Sequence, residues 1–487
     1  MAHITFLTSS GEAHIEIPCG KTVLDAAILA GVKPDAPCGG KGTCKKCKAL
    51  VNGEEVLACQ TLIEGDLTVR FPEMRDAHIL TKALRVDAKS DQADRYAIAF
   101  DIGTTTVVGY LLDGMTGKLL SQASSLNPQT AFGADVVTRI QYLMKVGTFE
   151  LTDCIRKTIS DLTLEACKNA GVDPNTITMA SVVGNTAMHH LYLGIDPKPL
   201  MTPPYMPRVF GATVMPARPI LPISEKGILR VLPNIAGFVG ADTVGCLVST
   251  RMDTVKDLTL MIDIGTNGEM VLGDNTRRIA CSTAAGPAFE GAKISCGMRG
   301  VKGAVDHVYL HDGEIFWHVI GDCKPVGLCG SGLLDLISTL LDTGFIDGSG
   351  HMQEKTFRLG DTDVTLTQKD VREVQLAKAA IRAGIELMAD KLGRSVKDIK
   401  SVLLAGAFGS FMDPVSACNI GMIPPVLVDR IRPIGNAAGE GAKLCALSEA
   451  EFEYSKKLAR EVEFLELASL PEFQDCYVDA LNFEEDA

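Results

Sequence analysis

Four cysteines near the N-terminus have the number and spacing of a metal-cluster site. They follow the pattern Cys38-x5-Cys44-x2-Cys47-x11-Cys59, in a loop rich in glycine and lysine. Glycines let a backbone wrap closely around an inorganic core, and the lysines can offset the negative charge of a four-thiolate cluster. The pattern therefore predicts a [2Fe–2S] cluster held by these four cysteines. A structural zinc site is the alternative, although zinc sites favour paired C-x2-C knuckles.

Two short runs repeat a pattern that is typical of phosphate-binding turns. Asp101 is followed by Ile-Gly-Thr-Thr and Asp263 by Ile-Gly-Thr-Asn, each at the end of an apolar run. The glycine allows a sharp turn, the following amides and hydroxyls can face phosphate oxygens, and the aspartate can hold Mg²⁺ through water. The recurrence predicts an internal duplication of one α/β domain type.

A third glycine-rich strand end, Leu-Ala-Gly-Ala-Phe-Gly, occupies residues 404–409. The order of the three motifs resembles the superfamily of actin, Hsp70 and sugar kinases, and residues 182–186 and 434–439 resemble its two interlobe connections. The resemblance implies two duplicated α/β lobes with ATP and Mg²⁺ in the cleft between them. The alternative is that these glycines only end the strands of another α/β fold.

On this resemblance, each motif residue has an expected role. Asp101 and Asp263 would flank Mg²⁺ and the γ-phosphate, and Asp263 or Glu269 would orient the attacking water. These three are the predicted catalytic residues. The small residues of 283–291 would permit close approach of a ligand. The predicted nucleotide-binding residues are Gly103, Thr104, Thr105, Thr106, Gly184, Asn185, Gly265, Thr266, Asn267, Gly286, Glu290, Gly406, Ala407, Phe408, Gly409, Gly435 and Asn436.

The surrounding elements would have to position these motifs. Residues 1–75 have the sequence pattern of a hairpin, a helix capped by Thr22 and further strands. This pattern predicts a β-grasp, ferredoxin-like domain. The polar residues 76–95 predict a flexible linker, with a solvated helix as the alternative. From Tyr96 onward, strands alternate with helices, so the chain is α/β, with a first RNase H-like lobe at 96–260 and a second at 261–487.

The bulk composition limits the possible partners. The chain has 487 residues with a formal net charge of −13, which disfavours binding to a nucleic-acid backbone. No apolar run reaches the ~18 residues of a membrane span. The N-terminus lacks a basic-then-apolar export signal, so a cytoplasmic protein without nucleic-acid or membrane partners is expected. In a reducing compartment, the 15 cysteines serve as metal ligands or core residues rather than disulfides.

The cysteine set, together with Asp-Ile-Gly-Thr-Thr-Thr, Asp-Ile-Gly-Thr-Asn-Gly and Thr-Ala-Ala-Gly-Pro-Ala-Phe-Glu-Gly, resembles the reductive activators of corrinoid enzymes over nearly the whole chain. The resemblance implies ATP-dependent, one-electron reduction of a Co(II) corrinoid to Co(I) in a methyl-transferring protein. It also implies a low-potential donor such as a ferredoxin or flavodoxin, and a homodimer. Larger members carry a middle domain before the nucleotide lobes. Because only residues 72–95 separate Phe71 from the strand at Tyr96, the middle domain is expected to be absent.

Three rival functions use the same motifs. A small-molecule kinase with an iron–sulfur regulatory domain would share the ATP motifs but needs an acceptor pocket with a base. An activator of a radical or dehydratase enzyme would usually carry its cluster cysteines inside the nucleotide fold, whereas here they precede it. A ferredoxin fusion whose lobes only bind a partner would not hydrolyse ATP.

Overall fold

The computed structural model describes residues 1–8, 11–32, 47–71, 90–91, 96–147, 149–265 and 267–483. Two of the predicted cluster ligands, Cys38 and Cys44, and the predicted phosphate-binding Thr266 lie outside the described residues, as does most of the predicted linker. Within these ranges, no helix is both long and apolar enough to cross a membrane.

The N-terminal residues form a mixed five-stranded sheet with one helix packed on it. The elements are β1 (Ala2–Thr8), β2 (Gly11–Ile17), α1 (Val23–Leu29), β3 (Lys48–Val51), β4 (Glu54–Leu57) and β5 (Leu67–Arg70). The strand order is β2-β1-β5-β3-β4, with β1 antiparallel to β2 and parallel to β5. Thr22 caps α1, as the sequence predicts, and also forms a reciprocal capping box with Asp25. The helix on this mixed sheet gives the expected β-grasp arrangement.

Residues 96–254 form the first of two lobes. Its elements are β6 (Tyr96–Ile102), β7 (Thr106–Asp113), β8 (Leu119–Leu126), α2 (Val136–Val146), α3 (Phe149–Ala170), β9 (Ile177–Gly184), α4 (Thr186–Leu193), β10 (Thr213–Pro216), β11 (Ile228–Val231) and α5 (Ala241–Thr250). Short 3₁₀ helices lie at Pro128–Ala131, Pro174–Thr176, Lys198–Met201 and Met252–Thr254.

The second lobe carries the remaining elements. They are β12 (Thr259–Ile264), β13 (Gly268–Gly273), β14 (Arg278–Thr283), β15 (Ala304–His311), β16 (Glu314–Val319), β17 (Gly327–Leu328), α6 (Gly330–Asp342), β18 (Thr356–Arg358), β19 (Thr365–Thr367), α7 (Gln368–Lys391), β20 (Ser401–Ala405), α8 (Gly406–Phe411), α9 (Pro414–Asn419), β21 (Ile431–Gly435), α10 (Ala437–Leu447), α11 (Glu449–Glu461), β22 (Val462–Phe464) and α12 (Phe473–Asp479). Short 3₁₀ helices lie at Val396–Asp398, Pro425–Arg430 and Leu467–Ser469.

The two lobes share one strand plan. In the first sheet, β6, β7 and β8 form an antiparallel meander, and β9 and β11 extend it in parallel from β6. In the second, β12, β13 and β14 form the meander, and β20 and β21 extend it from β12. The edge strands differ, because β10 runs antiparallel to β11 whereas β22 runs parallel to β14. The shared plan confirms the predicted duplication.

Helices α5 and α10 cross between the two sheets and join the lobes. Although α10 follows a strand of the second sheet, it packs against α5, β6 and β9 of the first lobe. The crossing is close because it contains glycines: a Cβ on Gly441 would lie 2.0 Å from the carbonyl oxygen of Gly245. Residues 434–439 lead into α10, as expected of an interlobe connection, whereas residues 182–186 lead into α4 of the first lobe and not into α5.

Candidate active site

A cavity of about 560 Å³ lies between the lobes, where the two phosphate-type turns and the third glycine-rich motif converge. Both turns connect the first two strands of a sheet, so the duplicated strand plan brings them face to face. The predicted residues that line the cavity are Asp101, Gly103, Thr104, Thr105, Thr106, Asn185, Asp263, Gly265, Asn267, Glu269, Glu290, Gly406, Ala407, Phe408 and Asn436.

Four of the predicted binding glycines are not among the lining residues; they are Gly184, Gly286, Gly409 and Gly435. Gly184 ends β9 and packs on β6, since a Cβ there would lie 2.7 Å from the carbonyl oxygen of Ile102. Gly409 is buried over Leu404 inside α8. These positions support the turns beside the cavity. Their identity as glycine reflects backbone packing and turn geometry rather than a surface open to a ligand.

The wall of the cavity carries a group of carboxylates whose pKa values are raised by burial. Burial raises the pKa of Asp101 to about 6, and a hydrogen bond from Asn436 opposes that rise. Burial, followed by repulsion from Asp101, raises the pKa of Asp263 to about 7. Glu269 is the direct cross-strand partner of Asp263, and its pKa is also raised, chiefly by burial. A cation placed among these groups would offset both the desolvation of the ionised carboxylates and their mutual repulsion.

The carboxylates of the cavity are oxygen donors of the kind that Mg²⁺ prefers. Mg²⁺ keeps several waters in such sites and is bound through one or two carboxylates plus substrate phosphates. The donor set therefore fits Mg²⁺ that arrives with a nucleotide.

Hydrogen bonds fix the side chains around the first turn. The Asn436 amide donates to Asp101 Oδ2 at 2.8 Å, and the Asn185 amide donates to Thr104 Oγ1 at 2.8 Å. Across the cleft, Thr105 Oγ1 donates to Glu290 Oε2 at 3.1 Å. The last contact joins the two lobes directly, so the cleft is closed at this point through polar groups.

The third motif closes the cavity at its other end. Gly406 has a φ of +80°, and a Cβ there would lie 2.6 Å from Asp263 Oδ1, so only glycine fits this turn. Phe408 follows, and its ring stacks on Phe289 with centroids 4.9 Å apart and planes 15° apart. This stacked pair provides a flat apolar surface of the kind on which a purine base can lie.

Four charged residues of the cavity, Asp242, Arg299, Asp306 and Asp322, were not predicted from the sequence. Asp242 sits at the start of α5, and burial, followed by repulsion from Asp263, raises its pKa to about 7. The signal for it was available, because Gly-Ala-Asp opens α5 as Asn-Ala-Ala-Gly opens α10. Arg299 also lines the cavity, in a loop whose flanking Gly297 and Gly300 predict a turn but do not mark the arginine as a site residue.

The N-terminal domain brings together the two predicted cluster ligands that lie among the described residues. Cys47 immediately precedes β3 and Cys59 follows β4, and these strands form one antiparallel hairpin. The Ala58 amide donates to the Cys47 carbonyl at 2.8 Å, which extends the hairpin to this end. Both cysteines are buried. Two thiols at one end of a hairpin fit half of a four-thiolate site.

Comparisons with known proteins agree with this architecture. The family model of the RACo middle region matches residues 96–255, and that of the C-terminal ASKHA domain of RACo matches residues 257–487. The corrinoid activation enzyme RamQ of Eubacterium limosum is 32% identical over 96% of this chain and 97% of its own length. A reductase of the methylated amine-specific Co(II) corrinoid protein from Methanosarcina barkeri is 26% identical over 80% of this chain and 77% of its own length.

A solved structure supports the same relationship. The reductive activator for a corrinoid iron–sulfur protein superposes with a TM-score of 0.72 and 28% identity, covering 99% of this chain and 98% of that chain. The expectation that the middle domain is absent is wrong, since the middle-region model matches the first lobe. The error has a structural cause: the middle region is itself an α/β lobe with an Asp-Ile-Gly-Thr turn, so its sequence has the pattern of half of a duplicated fold. The near full-length match to a corrinoid activation enzyme shows that the chain belongs to the RACo family of corrinoid reductive activators.

Proposed function

We propose that this protein uses ATP hydrolysis to drive one-electron reduction of the Co(II) corrinoid of a methyl-transferring protein to Co(I). The observation that carries the proposal is the near full-length similarity to a named corrinoid activation enzyme. The chain has both parts that such a reaction requires, a cavity suited to a nucleotide and a separate cysteine-bearing domain.

The cavity residues would bind ATP and assist its hydrolysis. The turn at Thr104 and Thr105 would hold the phosphates through amides and hydroxyls, and Asp101 and Asp263 would hold the hydrated Mg²⁺ between them. Glu269 lies beside Asp263 on the neighbouring strand, where its carboxyl can accept a proton from the attacking water. The stacked Phe289–Phe408 pair would carry the adenine.

The N-terminal domain would carry the electron. Cys38 and Cys44 would complete the thiolate set begun by Cys47 and Cys59, and a [2Fe–2S] cluster bound there supplies a one-electron carrier. A low-potential donor such as a ferredoxin or flavodoxin would supply each electron. We further propose that the protein works in the cytoplasm as a homodimer, as inferred for its family from the sequence.

The proposal is tested by anaerobic spectroscopy of a complete system. Purified protein with its cluster, Mg²⁺-ATP and a chemical reductant are mixed with a Co(II) corrinoid protein from the same organism, and Co(I) is followed by its absorption. The expected result is Co(I) formation that requires ATP and fails with Asp263→Asn. An unchanged Co(II) spectrum with every corrinoid protein of the organism, under conditions where a known activator succeeds, would overturn the proposal.

The same samples distinguish the proposed function from its main alternative, a small-molecule kinase. ATP consumption that rises with a sugar or a small carboxylic acid, and not with a corrinoid protein, would instead identify a small-molecule kinase. Electron paramagnetic resonance of the reduced protein separates a [2Fe–2S] cluster from zinc, because zinc gives no signal.

A further inference from the structure

The stretch from Asn127 to Tyr142, here called the bridging segment, lies between the phosphate turn and the N-terminal domain. It contains the 3₁₀ helix Pro128–Ala131 and the first two turns of α2. One side of it holds the turn at 103–105, and the other side carries the residues on which the N-terminal domain sits. No residue of the bridging segment belongs to the motifs that define the nucleotide site.

On its first side, the bridging segment binds all three carbonyls of the phosphate turn. The Asn127 side chain donates to the carbonyl of Gly103 at 2.8 Å, and its backbone amide donates to the carbonyl of Thr105 at 2.8 Å. The Arg139 guanidinium donates to the carbonyl of Thr104 and, through Nε, to that of Gly133 at 2.9 Å. A shift of the turn when phosphate binds would therefore move the bridging segment.

Arg139 makes this link stiff. Its side chain is completely buried, and burial lowers its pKa to about 10, so it stays charged at neutral pH. A buried guanidinium that lost its acceptors would pay a large desolvation cost. Arg139 therefore moves together with the carbonyls that it holds.

On its second side, the bridging segment carries an aromatic face. Phe132 and Tyr142 lie with ring centroids 4.8 Å apart, and with Ala131 they line one wall of a crevice of about 160 Å³. The opposite wall belongs to the N-terminal domain and includes Ile28 and Cys59. Ile28 packs both in the core of its own domain and against the core of the first lobe.

We propose that the bridging segment couples nucleotide occupancy at Thr104 and Thr105 to docking of the N-terminal domain on Phe132 and Tyr142. This inference rests on the proposed function and adds the regulation of the same site. In the docked position, Cys59 is buried and lines the crevice between its domain and the first lobe. A nucleotide that weakens docking exposes this side of the domain to the electron acceptor. Coupling of this kind is reciprocal, so docking changes nucleotide affinity by the same factor.

The test uses two adjacent residues of α1 in the full-length protein with its cluster. Ile28→Asp places a charge in the interface, whereas Leu29→Asp places the same charge at a neighbouring side chain that is 57% exposed. Binding of a non-hydrolysable ATP analogue is measured by calorimetry, and hydrogen exchange of residues 127–142 is measured by mass spectrometry. We expect Ile28→Asp to speed exchange in the bridging segment and to change the Kd about fivefold or more. Leu29→Asp should change neither.

The analogue itself should speed exchange of α1 in the unmodified protein, because the coupling is reciprocal. Equal Kd values for Ile28→Asp and Leu29→Asp would overturn the inference, and so would unchanged exchange at residues 127–142 in Ile28→Asp. If Ile28→Asp does not fold, Phe132→Ala removes the same contact from the other side and is measured in the same way. Failure of the unmodified protein to bind the analogue would overturn the proposed function as well, whereas binding without coupling overturns this inference alone.

Discussion

The Asn436 side-chain amide, at the entrance to α10 of the second lobe, donates a 2.8 Å hydrogen bond to Asp101 Oδ2 in the first lobe. Its second contact, at 3.1 Å, is to the hydroxyl oxygen of Tyr110. The amide therefore links the connection between the lobes to a carboxylate of the cavity. It also opposes the effect of burial on that carboxylate, because it stabilises the ionised form.

Replacement of Asn436 by Ala should weaken ATP hydrolysis by about tenfold or more, since a hydrogen bond to a charged group contributes about 1.5–3 kcal/mol. Loss of the donor should raise the pKa of Asp101 and weaken its hold on Mg²⁺. The measurement is ATPase rate against Mg²⁺ concentration. Tyr110→Phe is the matched control, because it removes the other partner of the same amide and leaves Asp101 bonded. An equal loss in both variants would mean that ATP hydrolysis does not depend on the bond from Asn436 to Asp101.

The pH dependence of stability follows from the carboxylates. Asp101 and Asp263 titrate near 6 and 7 in the folded protein and near 3.8 in ordinary surroundings, so the folded state binds more protons between about pH 4 and pH 7. Stability of the nucleotide-free protein should therefore fall as pH rises through this range, by about 1.4 kcal/mol for each unit of pKa elevation. Mg²⁺-ATP should reverse the trend, because it binds the ionised carboxylates.

Thermal unfolding between pH 5 and pH 8, with and without Mg²⁺-ATP, checks the direction of this pH dependence of stability. Asp263→Asn should make the fall in stability of the nucleotide-free protein shallower, since the amide does not titrate while Asp101 still does. A Tm of the nucleotide-free protein that rises steadily from pH 5 to pH 8 would contradict the prediction.

Most residues of the cavity could be predicted from the sequence, because each motif that contributes them is a local pattern. An Asp-Ile-Gly-Thr run needs only a strand end and a tight turn, and both follow from residue types within a few positions. The structure brings fifteen of the predicted residues to one cavity, because the two lobes repeat one strand plan.

Other features depend on contacts that no local pattern encodes. Arg139 reads as an ordinary polar residue of an amphipathic helix, yet it is completely buried against the carbonyl of Thr104. Gly184 and Gly409 have the same residue type as the true lining glycines but face the neighbouring backbone instead. The middle domain was missed for a related reason, since one lobe of a duplicated fold has the same pattern as the other.

Arg299 offers a third prediction. Among the described residues that line the cavity it is the one arginine or lysine, against seven aspartates and glutamates. A triphosphate would bring further negative charge, so Arg299 should contact the phosphates and stabilise charge as the terminal bond breaks. Arg299→Ala should lower kcat for ATP hydrolysis by about a thousandfold or more, in the range found for arginines in phosphoryl transfer. Arg299→Lys should recover part of that rate.

The two variants are compared for kcat and KM under saturating Mg²⁺. A rise in KM with unchanged kcat would assign Arg299 to nucleotide binding rather than to the transition state. Equal ATPase rates in Arg299→Ala and the unmodified protein would refute a role in hydrolysis.

The cysteines of the N-terminal domain provide a fourth prediction. Cys59 lies with Cys47 at one end of the β3–β4 hairpin. Cys19, which precedes α1 in the sequence, is exposed. Cys59→Ser should abolish the reduced-state paramagnetic signal, because serine replaces a thiolate ligand of the cluster. Cys19→Ser should retain the full signal and iron content. Since the nucleotide cavity is built from other domains, Cys59→Ser should keep the ability to bind ATP while losing all reduction of a corrinoid protein. Retention of iron and signal in Cys59→Ser would instead place the fourth ligand elsewhere in the chain.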